Sequence, residues 1–214
     1  MSIKQPKIWL SADQHLNHLN AIRYTNRPFD SVEEMTEVLM ASYRNIVTPS
    51  DTVYWLGDFV FNRKIVPSYV KIAVARNLRT DKVVLVRGNH DRADFDEYQR
   101  AGIREIYDSL EIDLDGERIL LVHEPIRVLQ AEAQKRKISI QGLTFDDQIV
   151  RDLAESLPLR VLCGHVHRLF RRFGQFVNVG VDVWGYRPIT LEEALGVFAE
   201  PSSLCGEVQH RREL

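Results

Sequence analysis

The sequence has few cysteines, and its charges of opposite sign almost cancel. Two cysteines, Cys163 and Cys205, in 214 residues are too few for a disulfide framework. The formal net charge is −2, whereas domains that bind nucleic acid through bulk charge usually carry a clear basic excess. The shortage of cysteine excludes a disulfide-rich secreted scaffold, and the charge balance leaves room only for a local basic groove.

Long hydrophobic runs are also missing. No stretch approaches the ~20 apolar residues of a membrane-spanning helix, and the first residues lack an apolar segment long enough for a signal peptide. We therefore predict a cytoplasmic protein without a membrane span. Its length and its hydrophobic content of 44% fit one domain with a real core, predicted over residues 1–200 and followed by a polar tail over 201–214.

Five short runs of β-branched or aromatic residues each end at polar residues that can bind a metal ion. They cover residues 7–10, 52–56, 83–86, 119–122 and 161–163. Segments with helical spacing lie between them, which predicts an α/β domain. These segments begin with a capping box at Ser31 and continue over residues 65–78, about 94–101, 145–157 and from 191 onward. A hairpin turning at Asp115-Gly116 and a further strand over 173–183 indicate mixed sheets.

The polar residues that follow these runs form one candidate site, because side chains at the carboxyl ends of neighbouring strands can converge. They are Asp13, His15, Asp58, Asn89, His90, His123, His165 and His167. Nitrogen and oxygen donors without thiolates suit divalent first-row ions; we favour manganese, while iron, zinc, nickel and magnesium stay open. So many ligands exceed the needs of one tetrahedral ion, which predicts two ions with a bridging aspartate. Their excess charge of about +2 over the two aspartates fits a hydroxide and a phosphate oxyanion.

The order and spacing of the motifs resemble those of the calcineurin-like metallophosphoesterases, in a small bacterial or phage branch. The matching motifs are Asp13-x-His15, Gly57-Asp58, Gly88-Asn89-His90-Asp91, His123 and Gly164-His165-x-His167. The resemblance covers residues 8–167. It implies a double β-sheet sandwich flanked by helices, and hydrolysis of phosphate esters by a hydroxide that bridges two metal ions.

The resemblance also implies a role for each matching residue. Three would hold the first ion and three the second, with one aspartate between the ions. The first ion would be held by Asp13, His15 and His167, and the second by Asn89, His123 and His165. The aspartate between the ions would be Asp58. His90 would stay unligated and act as general acid or steady the phosphoryl oxygens, and Asp91 would orient the ring of His90.

Four further residues are candidates for contact with the substrate. His18 could touch a phosphate near the first ion or cap its own loop. Arg63 and Arg92 offer guanidinium forks for a phosphate. Trp184 could stack on a nucleobase, although a rigid plug in its loop is the favoured interpretation.

Two features near the fourth motif leave alternatives open. Glu124 could orient His123 or face water, and we favour the second. Residues 127–142 interrupt the pattern of the core; they could form a lid or a basic lip over the site, but an exposed helical insertion is favoured.

The predicted function is a di-metal phosphodiesterase acting on a nucleotide-like or other small phosphodiester. A phosphomonoesterase or a nuclease of the same fold remains an alternative, the nuclease requiring a basic groove. A catalytically silent scaffold for protein binding is a further alternative. Such scaffolds usually lose ligands, and the motifs of this chain keep all of them.

Overall fold

The computed structural model describes residues 5–61, 68–100 and 102–204. Eleven strands lie within these ranges. They are β1 Ile8–Ser11, β2 Thr52–Leu56, β3 Val83–Val86, β4 Glu105–Tyr107, β5 Ser109–Leu114, β6 Glu117–Val122, β7 Arg160–Cys163, β8 Phe170–Phe173, β9 Phe176–Asn178, β10 Ile189–Thr190 and β11 Ser203–Leu204. All five predicted runs form strands, and β2 and β3 have the predicted bounds.

Seven α-helices lie within the described ranges. They are α1 Leu19–Tyr24, α2 Val32–Ala41, α3 Ser68–Asn77, α4 Phe95–Arg100, α5 Pro125–Arg136, α6 Gln148–Glu155 and α7 Leu191–Gly196. Short 3-10 turns cover Val181–Val183 and Val197–Ala199. No helix in the described part of the chain is long and apolar enough to span a membrane.

The strands form two mixed sheets. The first has the order β10-β1-β2-β3-β4, in which β1 to β4 run parallel and β10 is antiparallel to β1. The second has the order β11-β8-β9-β7-β6-β5, with β6, β7 and β9 parallel and the remaining pairs antiparallel. This confirms the mixed α/β fold with two sheets flanked by helices.

Successive side chains of each strand point to opposite faces of its sheet, and the hydrophobic core is therefore divided into three layers. Leu56 of β2 packs with Leu121 and Leu162 of the second sheet, which closes the space between the sheets. Its neighbour Trp55 faces the other way and packs among side chains of α2 and α3. The outer face of the second sheet is covered by α5 and α6, through residues such as Leu129. The two sheets thus pack against each other, and the ends of their strands meet at one site.

Local signals explain where several elements begin and end. The hydroxyl of Ser31 accepts a hydrogen bond from the backbone N–H of Glu34 at 3.1 Å, which caps α2 as predicted. Asp115 and Gly116 have φ angles of 52° and 89°, typical of the tight hairpin turn predicted between β5 and β6.

The prediction of strand over 173–183 is right only in part. After the turn at Gly174, β9 ends at Asn178, and residues 181–183 form a 3-10 turn. The reason is that the side chain of Asn178 accepts from the N–H of Gly180 at 2.8 Å, and the N–H of Val181 donates to Ala12 at 3.0 Å. The chain leaves its sheet there and crosses to the end of β1.

The segment predicted as an insertion over 127–142 begins with α5. Pro125 lies in the first turn of this helix, where the missing N–H has no intrahelical partner to lose. Leu129 and Ala133 are buried against α6 and the second sheet. The helix is therefore part of the outer layer, and the alternative of a lid over the strand ends is wrong for α5.

Candidate metal centre

Two groups of three side chains converge at the carboxyl ends of the strands. Within each group, one potential ligand atom per residue lies within 4.8 Å of the others. The groups are Asp13, His15 and His167, and Asp58, His123 and His165. We call them the first and the second ligand group. The family resemblance implied the same three residues for the first ion, but Asn89 with His123 and His165 for the second, and Asp58 between the two ions.

Asp58 lies between the two ligand groups. Its Oδ2 is 3.4 Å from Nε2 of His15, in the first group, and 3.2 Å from Nε2 of His123, in the second. Both imidazole nitrogens are buried, and the carboxylate of Asp58 is the group that each of them faces. Buried polar atoms normally have a partner. Two imidazole nitrogens that face one carboxylate oxygen favour positive charge between them, and the donor set as a whole fits divalent metal ions.

The backbone of the site is strained where it carries these side chains. Five residues of the two groups have a left-handed φ: Asp13 58°, His15 48°, Asp58 52°, His165 71° and His167 45°. This conformation costs a residue with a side chain roughly 1–2 kcal/mol, and such strain clusters at functional sites. The N–H of His15 donates to the carbonyl of Asp58 at 2.8 Å, which holds two of the strained turns together.

Two glycines let the loops approach each other closely. A Cβ on Gly88 would lie 2.1 Å from Oδ1 of Asp58, and a Cβ on Gly57 would lie 2.3 Å from Nδ1 of His123. Any larger residue would overlap a candidate ligand at either position. The glycines of the Gly-Asp and Gly-Asn-His-Asp motifs are therefore required by the packing of the site.

Hydrogen bonds fix the orientation of two histidines. Nδ1 of His123 lies 2.8 Å from the carbonyl oxygen of Leu56, which can only accept, so Nδ1 carries the proton. Nδ1 of His167 lies 2.8 Å from the carboxylate of Asp182. In both rings Nε2 is left to bind a cation, the usual arrangement for a metal-binding histidine.

Charge and burial act against each other at Asp58 and His123. Burial alone would raise the pKa of Asp58, but the adjacent histidines, His123 above all, hold that pKa well below its usual range. Burial alone would lower the pKa of His123, but the charge of Asp58 outweighs it and raises the pKa to about 10. Burial keeps the pKa of His15 well below its usual value, so that this ring is neutral. The site therefore favours positive charge beside Asp58.

His90 and Asn89 lie at the edge of the second ligand group. Nε2 of His90 is 4.0 Å from Oδ2 of Asp58, and the side chain remains 33% exposed. The backbone N–H of His90 donates to Oδ1 of Asp58 at 3.0 Å. Oδ1 of Asn89 lies 3.1 Å from Nδ1 of His165, where it can join the same ligand group.

The prediction that Asp91 orients the ring of His90 is wrong. The Asp91 carboxylate is buried and accepts hydrogen bonds from the backbone N–H groups of Asp58 at 2.7 Å and Gly88 at 2.8 Å. It also accepts from the N–H of Phe59 at 3.0 Å. It thus holds the loops after β2 and β3 against each other. Burial, followed by the charge of Asp58, raises its pKa to about 7.

Of the predicted substrate contacts, His18 and Arg92 lie beside the site. The ring of His18 stacks on Phe61 with 3.9 Å between the ring centroids, and its Nδ1 is 3.3 Å from Nδ1 of His15. Burial lowers the pKa of His18 to about 4. Arg92 is exposed, and its Nε donates to the backbone carbonyl of Asn89 at 2.9 Å. Arg63 lies outside the described residues.

The structure contradicts the suggestion that Trp184 stacks on a nucleobase. Trp184 is only 8% exposed and belongs to the core between the sheets. Its Nε1 donates to the carbonyl of Asn178 at 2.8 Å, and the guanidinium of Arg171 lies 4.1 Å from the ring centroid. The side chain of Trp184 fills space in the core, which agrees with the favoured interpretation of a rigid plug.

Glu124 does not orient His123. Its carboxylate pairs with the guanidinium of Arg127 at 2.7 Å, whereas both nitrogens of His123 face other partners.

Two residues near the first ligand group were not predicted from the sequence. Arg27 and Asp182 form a buried ion pair, with 2.9 Å from Nε to Oδ1 and 2.8 Å from Nη2 to Oδ2. Neither residue follows a strand run, and 155 positions separate them. In a single sequence, no local pattern connects them to each other or to His167.

Comparison with known proteins finds relatives that match most of the chain. An uncharacterized protein of Methanocaldococcus jannaschii is 30% identical over 193 residues, which cover 87% of this chain and 88% of that protein. The crystal structure of a protein of unknown function from Aquifex aeolicus has the same fold, with a TM-score of 0.63 and 24% identity over 90% of this chain and all of that one. A model of the calcineurin-like phosphoesterases matches residues 6–169. The family implies a phosphoesterase that uses divalent metal ions, and the chain belongs to the calcineurin-like phosphoesterase family.

Proposed function

We propose that this protein is a cytoplasmic di-metal phosphodiesterase that hydrolyses a nucleotide-like or other small phosphodiester, with manganese as the preferred metal. The observation that carries the proposal is the position of Asp58. One of its carboxylate oxygens lies within 3.4 Å of a histidine from each ligand group. A carboxylate between two sets of ligands is what two neighbouring cations require of a bridging residue.

The ligands assigned here follow the two groups. Asp13, His15 and His167 would hold the first ion, and Asn89, His123 and His165 the second, with Asp58 shared. Divalent ions held there supply positive charge for the phosphate oxygens and lower the pKa of an attacking water. The fixed orientation of His123 and His167 keeps the Nε2 atoms in place before a cation arrives, so little is lost in ordering them.

His90 is assigned to the leaving group. It lies next to Asp58 and remains partly exposed, so an ester oxygen can reach Nε2. A protonated imidazole at this place donates a proton to the departing oxygen, which would otherwise leave as a costly alkoxide. His18 lies beside His15 and Arg92 beside Asn89, and both are the proposed contacts for the rest of the substrate.

Charge favours a diester over a monoester. Two divalent ions, two aspartates and the negative charge of the nucleophile leave an excess of about +1. A phosphodiester carries one negative charge and balances this excess, whereas a monoester dianion exceeds it.

Hydrolysis of matched model esters tests the proposal. The manganese-loaded protein should cleave bis-p-nitrophenyl phosphate faster than p-nitrophenyl phosphate, and Asp58→Asn should abolish both activities. Faster cleavage of the monoester would indicate a phosphomonoesterase, and cleavage of single-stranded DNA or RNA would indicate a nuclease. A protein that holds no divalent ions and shows no manganese-dependent hydrolysis would be a binding scaffold.

A further inference from the structure

We propose that Arg27 and Asp182 are positioning residues that hold His167 and the loop of Asp13 in the geometry of the first ligand group. The proposal rests on the proposed function, because it takes His167 to be a metal ligand. It goes beyond that function because it gives a positioning role to two residues that lie outside the sequence motifs.

Asp182 acts on the ring of His167. Its Oδ2 lies 2.8 Å from Nδ1 of that ring, and its side chain is fully buried. A carboxylate at this place keeps the proton on Nδ1 and stops the ring from turning. Carboxylates behind metal-binding histidines act in this way, and their removal typically lowers metal affinity about 10–100-fold.

Arg27 holds Asp182 and the loop after β1 at once. Besides its two bonds to the carboxylate, it donates from Nη2 to the carbonyl of Asp13 at 2.6 Å and from Nη1 to the carbonyl of Gln14 at 3.0 Å. These carbonyls belong to the turn in which Asp13 and His15 have left-handed φ angles. One guanidinium therefore ties the strained loop to the residue that orients His167.

The burial of this ion pair argues against a purely stabilising role. Both side chains have 0% exposure. Burying two charges carries a large desolvation cost, and replacing such pairs by apolar residues is often neutral or stabilising. The pair is better explained by the geometry that it imposes, since Arg27 makes four hydrogen bonds to groups around the first ligand group.

The second ligand group offers an internal comparison. The ring of His123 is oriented by the backbone carbonyl of Leu56. The loop of Asp58 is held by the carboxylate of Asp91, which accepts a hydrogen bond from the backbone N–H of Asp58. Neither Arg27 nor Asp182 contributes to these bonds. Loss of the pair should therefore weaken one of the two ions selectively.

The experiment measures the binding of Mn²⁺ ions by equilibrium dialysis and by electron paramagnetic resonance of the full-length protein. The wild type should bind two ions with a spin-coupled spectrum. Asp182→Ala should bind one of them about 10–100-fold more weakly, so that at limiting manganese the spectrum is that of a single ion. Asp182→Asn should lie between the two, because its amide oxygen still accepts from Nδ1 of His167 but does not neutralise Arg27.

Arg27→Lys tests the fork of the guanidinium. A single ammonium cannot reach the carboxylate and both carbonyls, so this variant should resemble Asp182→Ala although it keeps the charge. Asp51→Ala is the matched control. Its buried carboxylate accepts from the N–H of Lys7 and from Nε1 of Trp9 at the start of β1, and its loss should lower the melting temperature but leave both manganese affinities unchanged.

The outcomes separate this inference from the proposed function. Two ions bound by Asp182→Ala with wild-type affinity would overturn the inference and leave the function standing. Equal weakening of both ions would also overturn it, because it would indicate general loosening of the fold. A wild-type protein that binds no manganese would overturn both. If Asp182→Ala does not fold, Asp182→Asn and Arg27→Lys decide by the same measurement.

Discussion

His90 faces Asp58 across 4.0 Å, from Nε2 to Oδ2, without belonging to either ligand group. The backbone of His90 is fixed by its own hydrogen bond to the other oxygen of Asp58. The histidine is thus held beside the proposed bridging carboxylate while its ring remains accessible. Because the ring of His90 is not a proposed metal ligand, a substitution of His90 should remove the proposed acid catalysis and leave the metal ions bound.

We expect His90→Ala to lower kcat for bis-p-nitrophenyl phosphate about 10²–10⁴-fold, the usual contribution of a general acid. The manganese content should stay at the wild-type level, because none of the proposed ligand atoms is lost. Steady-state rates and metal analysis of the same preparation check both parts. Hydrolysis at the wild-type rate would show that His90 has another role.

We expect Gly88→Ala to abolish tight manganese binding. The new methyl group would lie 2.1 Å from Oδ1 of Asp58, so either the carboxylate or the loop after β3 must move. Gly196→Ala is the matched control, because a Cβ there meets no atom within 4 Å and φ is −59°. Metal titration of both variants is the measurement. Two intact sites in Gly88→Ala would contradict the proposed position of Asp58.

Trp184→Ala should lower the free energy of unfolding by about 3–5 kcal/mol, as for other large aromatic residues removed from a core. Trp184→Phe should cost less, since it keeps most of the buried ring and loses the bond to the Asn178 carbonyl. Urea denaturation of the two variants gives these values. A raised KM with unchanged stability would instead indicate that Trp184 touches the substrate.

The sequence predicts the strands and most of the proposed ligands because both depend on local pattern. A run such as Val83–Val86 ends where the buried strand ends, and the polar residues after it must lie at the edge of the sheet. Such a pattern carries no information on contacts made across the fold. Asp91 accepts a hydrogen bond from the backbone N–H of Asp58, and Asp182 accepts one from Arg27, only when distant loops meet.

Short or irregular elements were missed for a related reason. Helix α1 has six residues, and only Ala21 and Ile22 among them are buried. Two buried positions are too few to show helical periodicity in the sequence. The 3-10 turn after β9 depends on the side chain of Asn178, which bends the chain toward β1. Trp184 follows that turn, so its position in the core could not be inferred from its distance to a motif.

Metal binding should release protons, and its affinity should rise with pH. In the metal-free protein the charge of Asp58 overcomes burial and raises the pKa of His123 to about 10, so His123 is protonated at pH 7. A histidine must lose this proton and be neutral to bind a metal, and the ion takes the place of the proton. Calorimetric titration with Mn²⁺ at pH 7 in two buffers of different ionisation enthalpy should show release of at least one proton.

The same pKa sets how the stability of the metal-free protein depends on pH. A folded pKa above the ordinary value of 6.5 means that protonated His123 stabilises the fold fully below pH 6.5, and that this stabilisation is lost as pH rises toward about 10. The melting temperature of the chelated protein should therefore fall between pH 7 and 10. That of the manganese-loaded protein should change less, because the bound ion and not a proton then balances Asp58. Equal pH profiles for the two forms, or titration heats that do not depend on the buffer, would show that His123 carries no proton for the metal to displace.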